Sequence, residues 1–99
     1  MASSKVLLIG LGSLGGHVLE FLARTPRMGK IIAADVNEEW GISKTNNALL
    51  GALNQGFYPD IEFRKIDLND IGATAETLTE VKPDLIFNAT TLQSWWVIG

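Results

Sequence analysis

Short runs of apolar residues alternate along the chain with segments whose apolar positions recur every three or four residues. Continuous apolar runs are typical of strands buried on both faces of a parallel sheet, whereas the longer spacing is typical of amphipathic helices. The pattern predicts four strands, at 6–9, 30–35, 61–67 and 85–87. It also predicts three helices, whose apolar faces are Leu14, Val18, Phe21 and Leu22; Ile42, Thr45, Leu49 and Leu53; and Ile71, Ala75, Leu78 and Val81.

Polar residues, glycine and proline mark where these helices are expected to begin and end. The first helix is predicted to stop before Pro26, because proline lacks a backbone N–H and clashes with the preceding turn. Ser43 is the predicted N-cap of the second helix, and Gly56 is the predicted residue after its C-cap. Asp70 is predicted to cap the third helix. The segment 88–99 is expected to begin as a loop and to become helical near Leu92, Trp95 and Trp96.

The alternation of strands and helices predicts an α/β fold in which helices cover both faces of a parallel sheet. Right-handed crossovers leave few arrangements, and the natural one is the Rossmann-type strand order 3-2-1-4. Strands 1 and 4 then lie side by side at the switch point, where ligands bind in such sheets. Residues 1–99 are interpreted as one dinucleotide-binding domain, truncated from a longer protein. A complete domain of this type has two βαβαβ halves, and the chain contains one half and the strand that follows it.

Composition excludes several classes of protein. The chain has 99 residues, which is one domain at most. It contains no cysteine and one histidine, so a disulfide scaffold is excluded and no metal site is expected. Its net charge is −3 and its basic residues form no run, so no nucleic acid is expected as a partner. No apolar stretch reaches the ~18 residues that span a bilayer, so a cytoplasmic protein without a membrane partner is expected.

The residues that follow the first strand form the pattern G-x-G-x-x-G. Gly10 is expected to permit the tight turn out of the strand, Gly12 to let a pyrophosphate approach the backbone, and Gly15 to let the helix pack closely on the sheet. Ser13 and Leu14 complete this predicted phosphate site, which uses the N–H groups and the positive dipole end of the helix. A glycine-rich turn that binds no ligand is the alternative interpretation.

Asp35 lies at the end of the second strand, twenty positions after Gly15. Its carboxylate is expected to accept hydrogen bonds from the hydroxyls of an adenosine ribose and to repel a 2′-phosphate. Val36 follows it in the same predicted site, and no arginine stands in the next residues. NAD is therefore the predicted cofactor, in preference to NADP. An aspartate that merely ends a strand in solvent is the alternative.

Two further segments follow strands at the same predicted edge of the sheet. Asp67 and Leu68 come after the third strand, where they are predicted to contact the adenine. Ala89, Thr90 and Thr91 come after the fourth strand, where they are predicted to line the rest of the cofactor. The alternative for both segments is an ordinary polar turn, with Asp67 beside the cap of the next helix.

Three segments, 6–15, 18–24 and 30–37, together resemble the N-terminal NAD(P)-binding domain of saccharopine dehydrogenase-like proteins. The resemblance implies an oxidoreductase whose cofactor is held at Gly10, Gly12, Gly15 and Asp35. It also implies that substrate and catalytic residues belong to a later domain, so no catalytic residue is assigned within this chain.

The stretch from residue 67 to residue 89 is also similar to nucleotide-sugar epimerases and other extended short-chain dehydrogenases. Their matching positions touch adenine and ribose, but their Tyr-x-x-x-Lys catalytic pair is missing from this chain. The segment 10–16 further resembles the ubiquitin-activating-like adenylating enzymes. Their additional Asp and Arg residues after strand 2 are absent from residues 36–41, which makes this a minor alternative.

Two other functions are compatible with the same glycine loop and acidic residue. One is a regulatory nucleotide-sensing domain of a transporter or channel, and the other is an S-adenosylmethionine-dependent methyltransferase. The fourth strand is expected to form an apolar edge of the sheet, and such edges invite pairing with another chain. Self-association through that edge or through the segment 92–98 is therefore predicted.

Overall fold

The computed structural model describes residues 4–25 and 29–89, without the side chain of Ser13. The order of elements within these ranges alternates strand and helix throughout. The elements are β1 (Lys5–Ile9), α1 (Ser13–Ala23), β2 (Lys30–Asp35), α2 (Glu38–Asn54), β3 (Asp60–Lys65), α3 (Ile71–Val81) and β4 (Leu85–Asn88). The predicted helical segment at 92–98 lies outside the described residues.

The four strands form one parallel sheet in the order β3-β2-β1-β4, as predicted. β1 is central, with Leu8 paired to Ala33 of β2 on one side and to Phe87 of β4 on the other. Because the strands are parallel, their carboxyl ends all lie at one edge of the sheet. The loops that follow β1, β2, β3 and β4 therefore meet at that edge.

The helices form a layer on each face of the sheet, as right-handed crossovers require for this strand order. α1 and α2 pack against each other and against one face, whereas α3 contacts the other. The buried core under α1 and α2 contains Leu8, Leu11, Leu19, Ala23, Ile31, Ala33, Ala48, Ala52 and Ala89. The buried core on the α3 side contains Leu7, Ile9, Ile32, Ala34, Ile66 and Val81.

The predicted buried face of α2 is partly wrong. Thr45 is buried as predicted and Leu49 is half-buried, but Ile42 and Leu53 are exposed. The small residues Gly41, Ala48 and Ala52 complete the buried face instead. The predicted N-cap is also wrong, because α2 begins at Glu38 and its first turn is capped by Asn37, whose side chain accepts a hydrogen bond from the Trp40 N–H at 3.0 Å. The two acidic residues of that turn further favour this start, because they complement the positive end of the helix dipole.

Gly41 shows why small residues occupy this face. A Cβ atom built on Gly41 would lie 2.0 Å from a ring carbon of Phe63 on β3. The helix backbone therefore rests directly on the ring, at a distance that no larger residue permits.

Similar corrections apply to the other elements. On α1, Phe21 is 70% exposed, and Leu19 is the residue that is fully buried. β3 ends at Lys65 rather than at Asp67. On α3, Val81 is buried and Leu78 packs against the same core, but Ile71, in the first turn, is 79% exposed and Ala75 is also exposed.

The predicted ends of two helices are confirmed. Gly56 follows the C-cap of α2 with a φ of +88°, a conformation that glycine adopts without steric cost. Asp70 caps α3, since its side chain accepts a hydrogen bond from the Ala73 N–H at 3.1 Å. Within the described residues, no helix combines the length and the apolar character needed to cross a bilayer.

The β3 edge of the sheet carries a network of charged side chains. Glu62 contacts Lys30 at 3.0 Å and Arg64 at 2.9 Å, and Arg64 also pairs with Glu80 of α3. The hydrogen bonds from Lys30 and Arg64 hold the pKa of Glu62 below its usual range. Charged residues on an edge strand discourage pairing with strands of other chains, so this edge is protected.

The contact between Gly41 and Phe63 gives a test of the packing. We expect Gly41→Ala to destabilise the fold by about 1–3 kcal/mol, because the added methyl group must displace the ring or the helix. Gly72→Ala is the matched control, since its Cβ would meet nothing closer than an Asp70 oxygen at 3.9 Å. We expect that control to leave the domain as stable as before or to stabilise it by up to about 1 kcal/mol, because alanine favours helix over glycine. Urea unfolding measures both, and equal effects of the two substitutions would contradict the packing described.

Candidate functional site

The glycine loop joins the carboxyl end of β1 to α1. Gly10 has a φ of +94°, in the left-handed region that favours glycine, and its N–H donates to the Ala34 carbonyl at 2.8 Å. The chain therefore extends its pairing with β2 by one residue and then turns sharply into α1.

Gly15 lies in the first turn of α1, against the start of this loop. A Cβ atom at Gly15 would lie 1.7 Å from the Gly10 carbonyl oxygen and 3.3 Å from the Ala89 Cβ. No side chain fits there, because a contact of 1.7 Å is far shorter than any van der Waals separation. The third glycine of the motif thus lets α1 begin directly beside the ends of β1 and β4.

The amino end of α1 differs from those of the other two helices. Its N-cap is Gly12, and among the described side chains none caps the helix or places a carboxylate in its first turn. By contrast, α2 is capped by Asn37 and α3 by Asp70. The first N–H groups of a helix need acceptors, and an anion supplies both an acceptor and the favourable charge.

Asp35 ends β2 beside the glycine loop and contacts it directly. Its Oδ2 accepts a hydrogen bond from the Leu11 N–H at 2.7 Å, and its Oδ1 accepts one from the Asn37 N–H at 3.0 Å. A carboxylate offers about four acceptor positions, so about two remain for a ligand's hydroxyl groups. Sequence analysis predicted Asp35 at this edge but did not predict its hydrogen bond to the loop.

Trp40 also contacts the glycine loop, which sequence reasoning missed. Its indole N–H donates to the Leu11 carbonyl oxygen at 2.8 Å, and the Lys44 ammonium lies 4.6 Å from its ring centroid. No local pattern indicates this contact, because Leu11 precedes Trp40 by 29 positions.

The segment after β3 lies next along the same edge. Asp67 accepts a hydrogen bond from the Asn69 N–H at 3.0 Å through Oδ1, and Leu68 is 40% exposed. Val36, after β2, is 54% exposed. These side chains therefore remain accessible to a ligand at the edge, although Asp67 also organises its own turn.

The residues predicted to follow the fourth strand divide into two groups. Ala89 is fully buried beside Gly15, so its methyl group contributes packing and has no exposed surface to offer a cofactor. Thr90 and Thr91 lie outside the described residues.

Leu14 is half-buried in the first turn of α1. In the part of the chain described, no three acidic or histidine side chains are grouped to hold a metal ion.

Comparisons with known proteins show the fold. No family model matches the chain, and no curated protein matches it significantly. Among solved structures, the protein Rv1636 from Mycobacterium tuberculosis H37Rv is similar, with a TM-score of 0.61 and 19% sequence identity over 89% of this chain and 72% of that one. This likeness supports the α/β fold with its parallel sheet. The saccharopine dehydrogenase-like resemblance stays a prediction.

Two adjacent glycines of α1 test the close approach at this site. We expect Gly15→Ala to prevent α1 from packing against the end of β1, and so to destabilise or unfold the domain. The alanine Cβ would overlap the Gly10 carbonyl oxygen. Gly16→Ala is the matched control, since its nearest contact would be the Leu11 oxygen at 3.8 Å. We expect this control to stabilise the domain by about 0.5–1 kcal/mol, because alanine favours helix over glycine. Thermal unfolding followed by circular dichroism measures both, and a tolerated Gly15→Ala would contradict the geometry.

Proposed function

We propose that this domain binds an adenine dinucleotide, NAD in preference to NADP, as the cofactor-binding part of a saccharopine dehydrogenase-like oxidoreductase. One observation carries the proposal. The amino end of α1, which no described side chain caps, lies at the carboxyl edge of the sheet beside the half-buried Asp35, whose carboxylate contacts the loop.

The phosphate half of the proposal rests on the glycine loop. Gly12 itself has no Cβ, and the first turn of α1 provides N–H donors and the positive end of the helix dipole. A pyrophosphate placed there satisfies these donors without needing a lysine. Gly10, Gly12, Ser13, Leu14 and Gly15 are the residues proposed to hold it.

The adenosine half rests on Asp35 and its neighbours along the edge. Asp35 uses two acceptor positions for backbone N–H groups, and its remaining positions suit the two ribose hydroxyls. Leu68 and Val36 offer apolar surface for the adenine. The register also places Lys65 of β3 directly beside Asp35, a cation that sequence reasoning did not weigh. The preference for NAD over NADP therefore depends on which side chain contacts the 2′ position of the ribose. Asp35 would repel a 2′-phosphate there, whereas Lys65 would attract one.

The bound dinucleotide would supply hydride transfer at its nicotinamide ring. The residues of this chain are assigned only to binding and orientation. Substrate and catalytic groups are proposed to belong to another domain, so we expect the isolated chain to bind the cofactor and to catalyse nothing measurable.

Calorimetric titration of the chain with NAD, NADP, ATP and S-adenosylmethionine tests this proposal. We expect NAD to bind more tightly than the other three. Preferred binding of S-adenosylmethionine would favour the methyltransferase alternative, and preferred ATP binding would favour a nucleotide sensor or an adenylating enzyme. No binding of any of the four would contradict the proposal.

The role of Asp35 is tested with a second carboxylate as its control. We expect Asp35→Ala to weaken NAD binding about tenfold or more, because it removes a charged acceptor, and such hydrogen bonds contribute roughly 1.5–3 kcal/mol. Asp84 is matched to it, because its carboxylate also accepts a hydrogen bond from a backbone N–H, that of Lys5 at 2.7 Å. Asp84 lies at the amino ends of the strands, away from the proposed site. Asp84→Ala should leave NAD affinity unchanged. Equal affinities for wild type and Asp35→Ala would contradict the assignment.

We also propose that the β4 edge pairs with another copy of the chain. Among the described strands, β4 pairs with β1 alone, and its Leu85 and Ile86 are 59% and 48% exposed. The opposite edge, at β3, carries the charged network around Glu62, whereas β4 carries apolar side chains. Of the two edges, β4 is therefore the one open to pairing.

Sedimentation at high micromolar concentration tests this pairing. We expect wild type to self-associate and Ile86→Lys to shift the equilibrium towards monomer, because a charge at the strand edge opposes pairing. Phe21→Lys is the control, since it removes an exposed apolar side chain from α1, on another part of the surface. A monomeric wild type, or equal effects of the two substitutions, would contradict the proposal.

A further inference from the structure

We propose that Trp40 is a positioning residue that fixes the glycine loop in the conformation that receives phosphate. The effect on ligand affinity rests on the proposed function, whereas the effect on the loop itself does not. The inference comes from the hydrogen bonds around one residue of the loop, Leu11.

Leu11 is held at both of its backbone polar groups. Its N–H donates to Asp35 at 2.7 Å, and its carbonyl oxygen accepts the Trp40 indole N–H at 2.8 Å. Its side chain is fully buried in the core under α1 and α2. Since Leu11 lies between Gly10 and Gly12, these contacts restrain the peptide groups on both of its sides.

These contacts belong to a closed circuit of hydrogen bonds between the loop and the start of α2. Asp35 accepts from Leu11 and from the Asn37 N–H, Asn37 accepts from the Trp40 N–H at 3.0 Å, and the Trp40 indole returns to Leu11. The N-cap of α2 thus sets the position of the Trp40 backbone. The Lys44 ammonium, one turn later, lies over the indole ring.

Such restraint matters because the loop is rich in glycine. Glycine loses more conformational freedom on ordering than other residues, and a ligand that must order its own site binds more weakly. The indole N–H is the contact that ties the second half of Leu11, and hence Gly12, to α2. Without it, the carbonyl of the Leu11–Gly12 peptide group loses its hydrogen bond to α2.

The variant Trp40→Phe removes the indole donor and keeps an aromatic ring beneath Lys44. We expect it to weaken NAD binding about three- to tenfold, the effect of one lost hydrogen bond. We expect the affinity for adenosine to fall less than about twofold. Adenosine carries no phosphate, so it does not contact the loop that the substitution loosens, and effects at separate sites are nearly independent. Lys44→Met is the control, because it removes the cation and leaves the indole donor in place.

Amide hydrogen exchange of the full chain without ligand provides the second readout. We expect the Leu11 N–H and its neighbours in the loop to exchange faster in Trp40→Phe than in wild type or Lys44→Met, with the amides of β1 unchanged. Unchanged loop exchange, an equal loss of NAD and adenosine affinity, or the same loss in Lys44→Met would overturn the inference. If wild type binds no NAD, the proposed function fails, and the exchange comparison still decides whether Trp40 fixes the loop.

Discussion

The close approach of α1 to the end of β1 is the constraint on which the rest of this structure depends. At Gly15 the helix backbone meets the Gly10 carbonyl at a distance that leaves no room for a Cβ atom. This contact places the amino end of α1 directly over the carboxyl edge of the sheet, next to Ala89 at the end of β4. A side chain at Gly15 would move the helix outward, and its first N–H groups would no longer lie beside the ends of β1 and β2.

A second set of contacts keeps the loop itself in place. Asp35 and Trp40 hold the two backbone groups of Leu11 from the end of β2 and the start of α2. The acidic residue that sequence patterns assign to a ribose therefore also has a structural role in the free domain. We propose that the same carboxylate also receives the sugar, so Asp35 would take part in both halves of the site.

The sequence predicted the sheet well because the signals for β1, β2 and β4 are local. Each is a short apolar run, and the alternation with helices leaves one natural strand order. The same reasoning located the glycine loop and Asp35 at the ends of adjacent strands. The cap at Asp70 and the turn at Gly56 were also predictable, because each depends on the chemistry of one residue.

Other features depend on contacts that local patterns do not contain. The face of α2 was misassigned because periodicity gives weight to large apolar residues, whereas close packing on Phe63 selects Gly41 and its small neighbours. The indole of Trp40 meets a carbonyl 29 positions earlier in the chain, so no spacing rule indicates it. Ser43 was chosen as the N-cap although Asn37, followed by two acidic residues, carries the stronger signal.

The central claim is that the edge formed by the glycine loop and Asp35 holds an adenine dinucleotide. Backbone amide chemical shifts, followed by NMR while NAD is added to isotopically labelled chain, test it most directly. We predict that the largest changes occur at Gly12, Ser13 and Leu14, with further changes at Asp35 and Val36, and little change at the amino ends of the strands. Saturable changes confined to another surface, such as the outer face of α1 or α3, or no change at millimolar NAD, would contradict it.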